Sequence, residues 1–315
     1  MQLKKIFDPR KTTKLFDLSE KFNFFKDLIL RNKLPKVILL TGNKGVGKLT
    51  LVFHLMNFYF DKENYDLDNN RIIKKNNFFI NLSEDLFSNI IYLNGSDFKN
   101  IKIDDIRDLR SHLSKTSINN DKRFIILDDV EMFNINSLNG LLRIIEEPNK
   151  NNYFILINNK KKTLIDTIKS RCNEFQILLN QKKRNNIINQ LMNYFNQQKN
   201  IRDDLVNVSP GNFLYLNYFF LNNKIDFENE FIKNLKFLIN LYKKDKDILY
   251  KDILIFFTEY HLQILRAKKM YDQKQLIYIR NNIIKKINEF FIYNLNIDTF
   301  IKSIETKFEW QKIFI

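Results

Sequence analysis

Between an apolar run, Val37-Ile-Leu-Leu-Thr41, and a run that reads as a helix, Leu49-Thr-Leu-Val-Phe-His-Leu55, the chain carries Gly42-Asn-Lys-Gly-Val-Gly-Lys48. This is the G-x-x-x-x-G-K pattern in the strand–loop–helix setting that gives it meaning. Glycines let backbone N–H groups turn towards a phosphate, the helix N-terminus adds positive potential, and the lysine, Lys48, reaches the β/γ-phosphates. Asn43, Lys44, Gly45 and Val46 fill the loop between Gly42 and Gly47. A chain holding this pattern is committed to a strand whose carboxyl end opens onto a helix. The glycines count for more because they are scarce. The 315 residues hold 6 Gly, 4 Pro and one Ala, and three of the glycines fall in this loop. Lys, Asn, Ile, Phe and Tyr have AT-rich codons, so the composition is that of an AT-biased gene, against which a scarce residue has to persist.

Four further apolar runs follow at intervals: Ile90-Ile-Tyr-Leu93, Phe124-Ile-Ile-Leu127, Tyr153-Phe-Ile-Leu-Ile157 and Glu174-Phe-Gln-Ile-Leu178. Helical spacing lies between them. Ile103, Ile106, Leu109 and Leu113 mark one helix, with Asp104 and Asp105 favourable in its first turn. A second runs from about Ser137 to Glu147 and stops before Pro148. Strands alternating with helices of this length predict an α/β fold with a parallel sheet and right-handed crossovers. Residues 61–82 are polar and Asn-rich and read as a surface insertion. After residue 179 only helical patterns remain: Ile187, Ile188, Leu191, Tyr194 and Phe195, then a cap-and-first-turn pair Ser209-Pro210, then Ile232, Leu235, Leu238, Ile239 and Tyr242. The expected organisation is an α/β domain over 1–178, a small helical domain over 179–222 and a larger helical domain over 223–315.

Composition excludes several classes. One cysteine, Cys172, leaves no internal disulfide and no Cys₄ or Cys₂His₂ zinc site. The three histidines form no ligand pattern. No run of 18 apolar residues occurs, and Met1 to Phe16 has no signal-peptide core, so the expectation is a cytoplasmic protein that does not enter a membrane. The formal net charge of +16 favours contact with phosphate backbones over repulsion.

The phosphate loop carries a defect. The position after Lys48 should hold Ser or Thr as an Mg²⁺ ligand, and it is Leu49. Thr50 comes one residue later, about 100° further round the helix. The third apolar run ends in Asp128-Asp129, where an Mg²⁺-binding Asp is expected. In ATP-hydrolysing proteins of this kind Glu follows to position the attacking water, and Asp129 is a methylene shorter.

Together these residues carry a resemblance. Asp128-Asp-Val-Glu-Met-Phe-Asn-Ile-Asn-Ser-Leu-Asn-Gly-Leu-Leu-Arg-Ile-Ile-Glu-Glu-Pro148 resembles the second acidic motif and following helix of bacterial DNA polymerase III clamp-loader subunits, which are AAA+ proteins. Leu141-Leu-Arg-Ile-Ile-Glu-Glu-Pro148 is its most specific stretch. Ser170-Arg171-Cys172 is similar to the family's Ser-Arg-Cys motif, and Arg31-Asn-Lys-Leu-Pro35 to its approach to the phosphate loop. Order and spacing agree across roughly residues 31–180, with a weaker likeness at Leu295-Asn-Ile-Asp-Thr-Phe300.

Of the two subunit types carrying these motifs, the chain looks like delta-prime, the rigid type whose ATP site is often degraded. Lys48-Leu-Thr-Leu51 has the Lys-x-Thr-Leu form of that type. The Lys-Thr-Thr form of the hydrolysing gamma/tau motor is missing, and no Arg or Lys lies in Ser209-Pro-Gly-Asn-Phe213, where the motor's sensor arginine would be. The resemblance implies a RecA-like AAA+ sheet domain, a helical lid and a helical collar. It implies a component of the DNA polymerase III holoenzyme whose own ATPase is absent or very weak. The implied partners are motor and delta subunits, the sliding clamp and primed DNA. Arg171 would act in trans, reaching the γ-phosphate of ATP on a neighbouring motor subunit, with Ser170 and Cys172 shaping its turn. Asn158 lies where the family has its first sensor. The four-Cys zinc module of relatives is replaced by the insertion at 61–82, which implies no zinc. Binding of ATP or ADP with Mg²⁺ at the degenerate loop stays open, as do two alternatives: a gamma/tau-type motor and a free-standing P-loop ATPase acting on nucleic acid.

Overall fold

Five parallel strands form the central sheet: β1 (Val37–Thr41), β4 (Ile90–Asn94), β5 (Arg123–Asp128), β6 (Asn152–Asn158) and β7 (Asn173–Gln176). Their order is β4-β5-β6-β1-β7. A two-residue antiparallel pair, β2 (Tyr65–Asp66) with β3 (Arg71–Ile72), lies outside it. The computed structural model describes residues 7–73, 77–96, 101–114, 121–227, 231–247 and 249–305. Met1–Ile6 of the N-terminal stretch and the tail beyond residue 305 lie outside the described residues. All five apolar runs are strands, and the α/β fold is the one the sequence predicts.

The apolar runs are continuous because the sheet is buried on both faces. Alternation then sorts each strand's side chains between two cores. Ile38 and Leu40, Phe124 and Ile126, and Tyr153, Ile155 and Ile157 enter one core. There they meet Leu51, Val52, Leu55 and Phe58 from the helix Lys48–Phe60, and Phe22 and Phe25 from the helix Ser19–Leu30. Val37 and Leu39, Ile125 and Leu127, and Phe154 and Leu156 face the other way. They pack on Ile106, Leu109 and Leu113 from Ile103–Ser114 and on Leu138, Leu141 and Ile145 from Ile135–Ile145. Each fully buried Leu, Ile or Phe contributes about 1.5–3 kcal/mol.

The insertion at 61–82 departs from the expectation of a polar surface segment. Tyr65 and Ile72 of the small hairpin are buried, as are Phe79 and Leu82 of the helix Asn77–Ser83. The Tyr65 hydroxyl lies 2.8 Å from His54 Nδ1, while His54 Nε2 lies 3.2 Å from the Thr12 carbonyl. A carbonyl only accepts, so Nε2 carries the proton and Nδ1 accepts from Tyr65. Burial lowers the His54 pKa to about 4 and keeps the ring neutral. Four core residues among many asparagines were too few for a periodicity to register.

The chain divides into two compact units, one of residues 1–196 with 209–215, the other of 197–208 with 216–315. In the second unit the helices Phe231–Asp245, Leu249–Ala267, Gln273–Tyr293 and Ile297–Glu305 pack together. Leu235, Leu238, Phe257, Leu265, Ile283, Ile287, Phe290 and Phe300 are buried there. Asp272 and Gln275 close a capping box at the start of Gln273–Tyr293. The fully buried Asn217 ties down the segment before it, accepting from the Asn200 and Ile201 N–H groups and donating to the Gln198 carbonyl. Among the described residues no helix is long and apolar enough to cross a membrane.

Candidate functional site

Strand order decides where a ligand could sit. β1 lies between β6 and β7, so the loop leaving its carboxyl end opens at the edge of three strands, where α/β sheets form binding crevices. Gly45 and Gly47 take φ of +83° and +95°, the left-handed region that favours glycine. The helix starts directly at Lys48. The Lys48 ammonium is buried and turns back on the loop, donating to the Gly42 carbonyl at 2.6 Å and the Asn43 carbonyl at 2.8 Å. Burial lowers its pKa to about 8. Val46 is buried in the core beneath the loop, and Gly42 donates its N–H to the Asn158 carbonyl at 3.2 Å.

The acidic pair ends β5. Asp128 and Asp129 are both buried, and Asp129 adopts a left-handed φ of 51°, which lets a 3-10 turn, Val130–Met132, bring Glu131 back beneath the site. Asp128 Oδ1 accepts from the Asp129 N–H at 2.9 Å and from Asn159 Nδ2 at 2.9 Å. Its Oδ2 lies 3.4 Å from the Tyr92 hydroxyl. Asn159 Nδ2 also donates to Asp129 Oδ1 at 2.7 Å. Asp129 Oδ2 lies 2.9 Å from Lys161 Nζ and 3.7 Å from Lys44 Nζ, and Lys161 donates to Ser96 Oγ. Glu131, buried, accepts from the Asn159 and Lys161 N–H groups.

The two carboxyls are pushed apart. Burial, then the neighbouring Asp129 charge, raises Asp128 to about 6. Burial would raise Asp129 as well, but Lys44, the Ser96 hydroxyl and Lys161 outweigh it and hold Asp129 at about 2. The signs in stability are therefore opposite. Asp129 adds stability above pH 3.8 that is lost as pH falls through 2. Asp128 is neutral in the fold below about 6, and its penalty appears as pH rises through that value from 3.8. Asp128→Asn is accordingly expected to stabilise the α/β unit by about 2 kcal/mol at pH 8 and to leave it unchanged near pH 4. Urea unfolding at the two pH values measures this, and a wild type more stable than the variant at pH 8 would contradict the buried-charge penalty.

These residues do not fit an Mg²⁺–nucleotide. Where the metal's Ser or Thr ligand would be, Leu49 packs its side chain against the core, and Thr50 is half-buried on the helix. The acidic oxygens already face two ammonium groups and an amide. The loop keeps two glycines in the left-handed region, whereas the cation side is satisfied from within the chain.

Asn158 ends β6 opposite Thr41 of β1, with its amide oxygen accepting from the Lys160 N–H at 2.9 Å. Its neighbour Asn159 touches the acidic pair. Sequence reading missed Asn159, Lys161, Glu131, Ser96 and Tyr92. The one available signal was the run Asn158-Asn-Lys-Lys161 at a strand's carboxyl end, and a single residue's shift there changes which way a side chain faces.

Ser170, Arg171 and Cys172 stand apart from this site, after the short helix Asp166–Lys169. Arg171 is exposed and ion-paired with Glu146. Ser170 Oγ donates to the Thr167 carbonyl. Cys172 Sγ donates to the Ile168 carbonyl, and burial, with Glu174 nearby, pushes its thiol up to about 12. A thiol held neutral in this way is a weak nucleophile.

The helix Pro210–Asn222 begins against the phosphate loop. Gly211 donates its N–H to the Gly45 carbonyl at 2.9 Å, and Ser209 Oγ donates to the Lys44 carbonyl. The Ser209 hydroxyl, expected as a helix cap, is spent on the loop.

Residues 18–181, more than half of the chain, match the family described as DNA polymerase III, delta subunit. The DNA polymerase III subunit delta' of Bacillus subtilis (strain 168) is 31% identical over 149 residues, covering 46% of this chain and 42% of that protein. The subunit delta' of Buchnera aphidicola subsp. Schizaphis graminum is 26% identical over 181 residues, covering 50% and 51%. The chain thus spans about half the length of the curated relatives it matches. Among solved structures it is similar to a DNA polymerase III gamma subunit-related protein of Thermotoga maritima, with a TM-score of 0.48 and 14% identity over 90% of this chain and 96% of that one. On the match over residues 18–181, which takes in the phosphate loop, the acidic pair and the Ser-Arg-Cys turn, the chain belongs to the DNA polymerase III, delta subunit family.

Proposed function

We propose that this chain is a delta-prime-type clamp-loader subunit. It helps a ring of motor and delta subunits place the sliding clamp on primed DNA in the cytoplasm, hydrolyses little or no ATP itself, and lends Arg171 to a neighbouring motor's ATP. In this reading residues 1–178 are the AAA+ domain, 179–222 the lid and 223–315 the collar that holds the ring together. The observation that carries it is a contrast within one unit. The chain's own cation site is filled by Lys161 and Lys44 on Asp129, while Arg171 stands exposed on a fixed turn. A buried, self-neutralised acidic pair suits a rigid scaffold, and an exposed guanidinium suits action on another chain's phosphate.

The test is reconstitution with motor and delta subunits, read by native mass and by ATP turnover. The chain is expected to enter the ring stoichiometrically and to turn over no measurable ATP alone. Turnover by the isolated chain on the order of 1 s⁻¹, ordinary for a working enzyme, would make it a motor. Activity on nucleic acid without assembly would make it a free-standing ATPase.

A further inference from the structure

Two stretches singled out by sequence, Leu141–Pro148 and Ser170–Cys172, meet in the fold at one ion pair. Glu146 caps the C-terminus of the helix Ile135–Ile145, and Arg171 lies one residue past Ser170, the C-cap of Asp166–Lys169. Arg171 Nε donates to Glu146 Oε1 at 2.7 Å, and Nη2 lies 2.7 Å from the same oxygen. Nη1 donates to the Thr167 carbonyl at 3.0 Å, with Ser170 Oγ at 3.4 Å. Both backbones are fixed from below, because Leu141, Ile144 and Ile145 share one core with Leu164 and Ile168.

From this geometry we infer that Glu146 is a positioning residue that acts through Arg171, fixing the guanidinium for delivery to a nucleotide on the neighbouring subunit. The inference rests on the function proposed above. An unrestrained arginine samples many rotamers, and each docking event would have to freeze them. Glu146 and the Thr167 carbonyl hold the guanidinium from two directions in advance. Of its five N–H groups these contacts leave the second one on Nη2 uncommitted. Preordering of this kind acts on the rate of the chemical step, since misplacement of a transition-state contact is costly. The pair is too exposed for its loss to matter much to folding, so the two roles separate in experiment.

The reconstituted ring supplies the test, with DNA-stimulated ATP turnover measured for Glu146→Ala, Glu146→Gln, Arg171→Ala and the Glu146→Ala/Arg171→Ala double variant. Glu146→Ala is expected to lower kcat roughly tenfold with KM for ATP little changed. Glu146→Gln keeps an acceptor oxygen on the same stem and is expected to recover most of the rate. In the Arg171→Ala background Glu146→Ala should do nothing further, the mark of a residue that works through another. Wild-type or faster turnover in Glu146→Ala, alongside a slow Arg171→Ala, overturns the positioning role and leaves the proposed function standing. An equal loss with and without Arg171 overturns it too, by showing a merely structural effect. An Arg171→Ala ring with unchanged turnover removes both the inference and the trans role on which it rests.

Discussion

In a ring assembled as proposed, turnover at the motor site facing this chain is expected to fall on the order of 10³-fold when Arg171 is replaced by alanine, with ring assembly intact. A guanidinium placed on the γ-phosphate neutralises charge that spreads over the equatorial oxygens in the transition state, and it costs no reorganisation at that moment. Assembly should survive because the side chain's contacts are local. They are one exposed carboxylate at the end of a neighbouring helix, and one carbonyl and one hydroxyl of its own turn. Exposed ion pairs contribute only about 0–1 kcal/mol, and Glu146, once freed, is solvated. Arg171→Lys should recover little, since an ammonium keeps the charge but not the planar fork. Single-turnover hydrolysis in rings assembled with either variant, checked for composition by native mass, gives the measurement. A ring that hydrolyses ATP as fast with Ala at 171 as with Arg would end the proposal.

Gly45→Ala carries the second large effect, this time on the fold. Position 45 has φ of +83°, and a Cβ built there would lie 2.5 Å from Ser209 Oγ and 2.8 Å from the Asn212 backbone nitrogen. The left-handed conformation costs a non-glycine residue about 1–2 kcal/mol. Pressing a methyl against a backbone atom, which cannot rotate away, adds about 1–3 kcal/mol. The docking of Ser209–Asn212 on the phosphate loop is therefore expected to weaken by about 3 kcal/mol. Hydrogen exchange at the Gly211 amide, which bonds to the Gly45 carbonyl, reads this directly. Its protection should drop by about 10²-fold, with the strand amides of β5 and β6 unaffected. Unchanged protection would mean that the contact does not hold the loop. In a motor subunit the same loop must admit a nucleotide. Here it is bound to its own chain on one side by Gly211 and Ser209, and its lysine is satisfied by its own carbonyls.

Both variants touch residues that sequence had singled out, but for reasons sequence could not contain. Gly45 was legible as part of a phosphate loop, because scarcity and spacing mark it. That its missing Cβ makes room for Ser209 and Asn212 depends on a contact spanning some 165 residues. Asp128 and Asp129 were legible from their place at the end of an apolar run. Their opposite pKa shifts were not, because Lys161 and Asn159 belong to a different strand's exit loop. Asn158 shows the limit most sharply. Its position at the end of β6 was readable, yet the next residue makes the contact with the acidic pair.

What the sequence determined by itself is whatever a local pattern encodes. That covers the five strands, the parallel α/β class, and the phosphate loop with its Leu49 defect. These follow from backbone propensity, from burial periodicity and from spacing within a few residues. Only the tertiary structure decided that Lys44 and Lys161 neutralise Asp129, that Glu146 holds Arg171, and that Tyr65 and Ile72 of a polar-looking insertion enter the core. The reason is geometric. Strand order places the carboxyl ends of β1, β5 and β6 side by side, so loops far apart in sequence converge there, and at ångström separations each charge is set by neighbours that no local window contains.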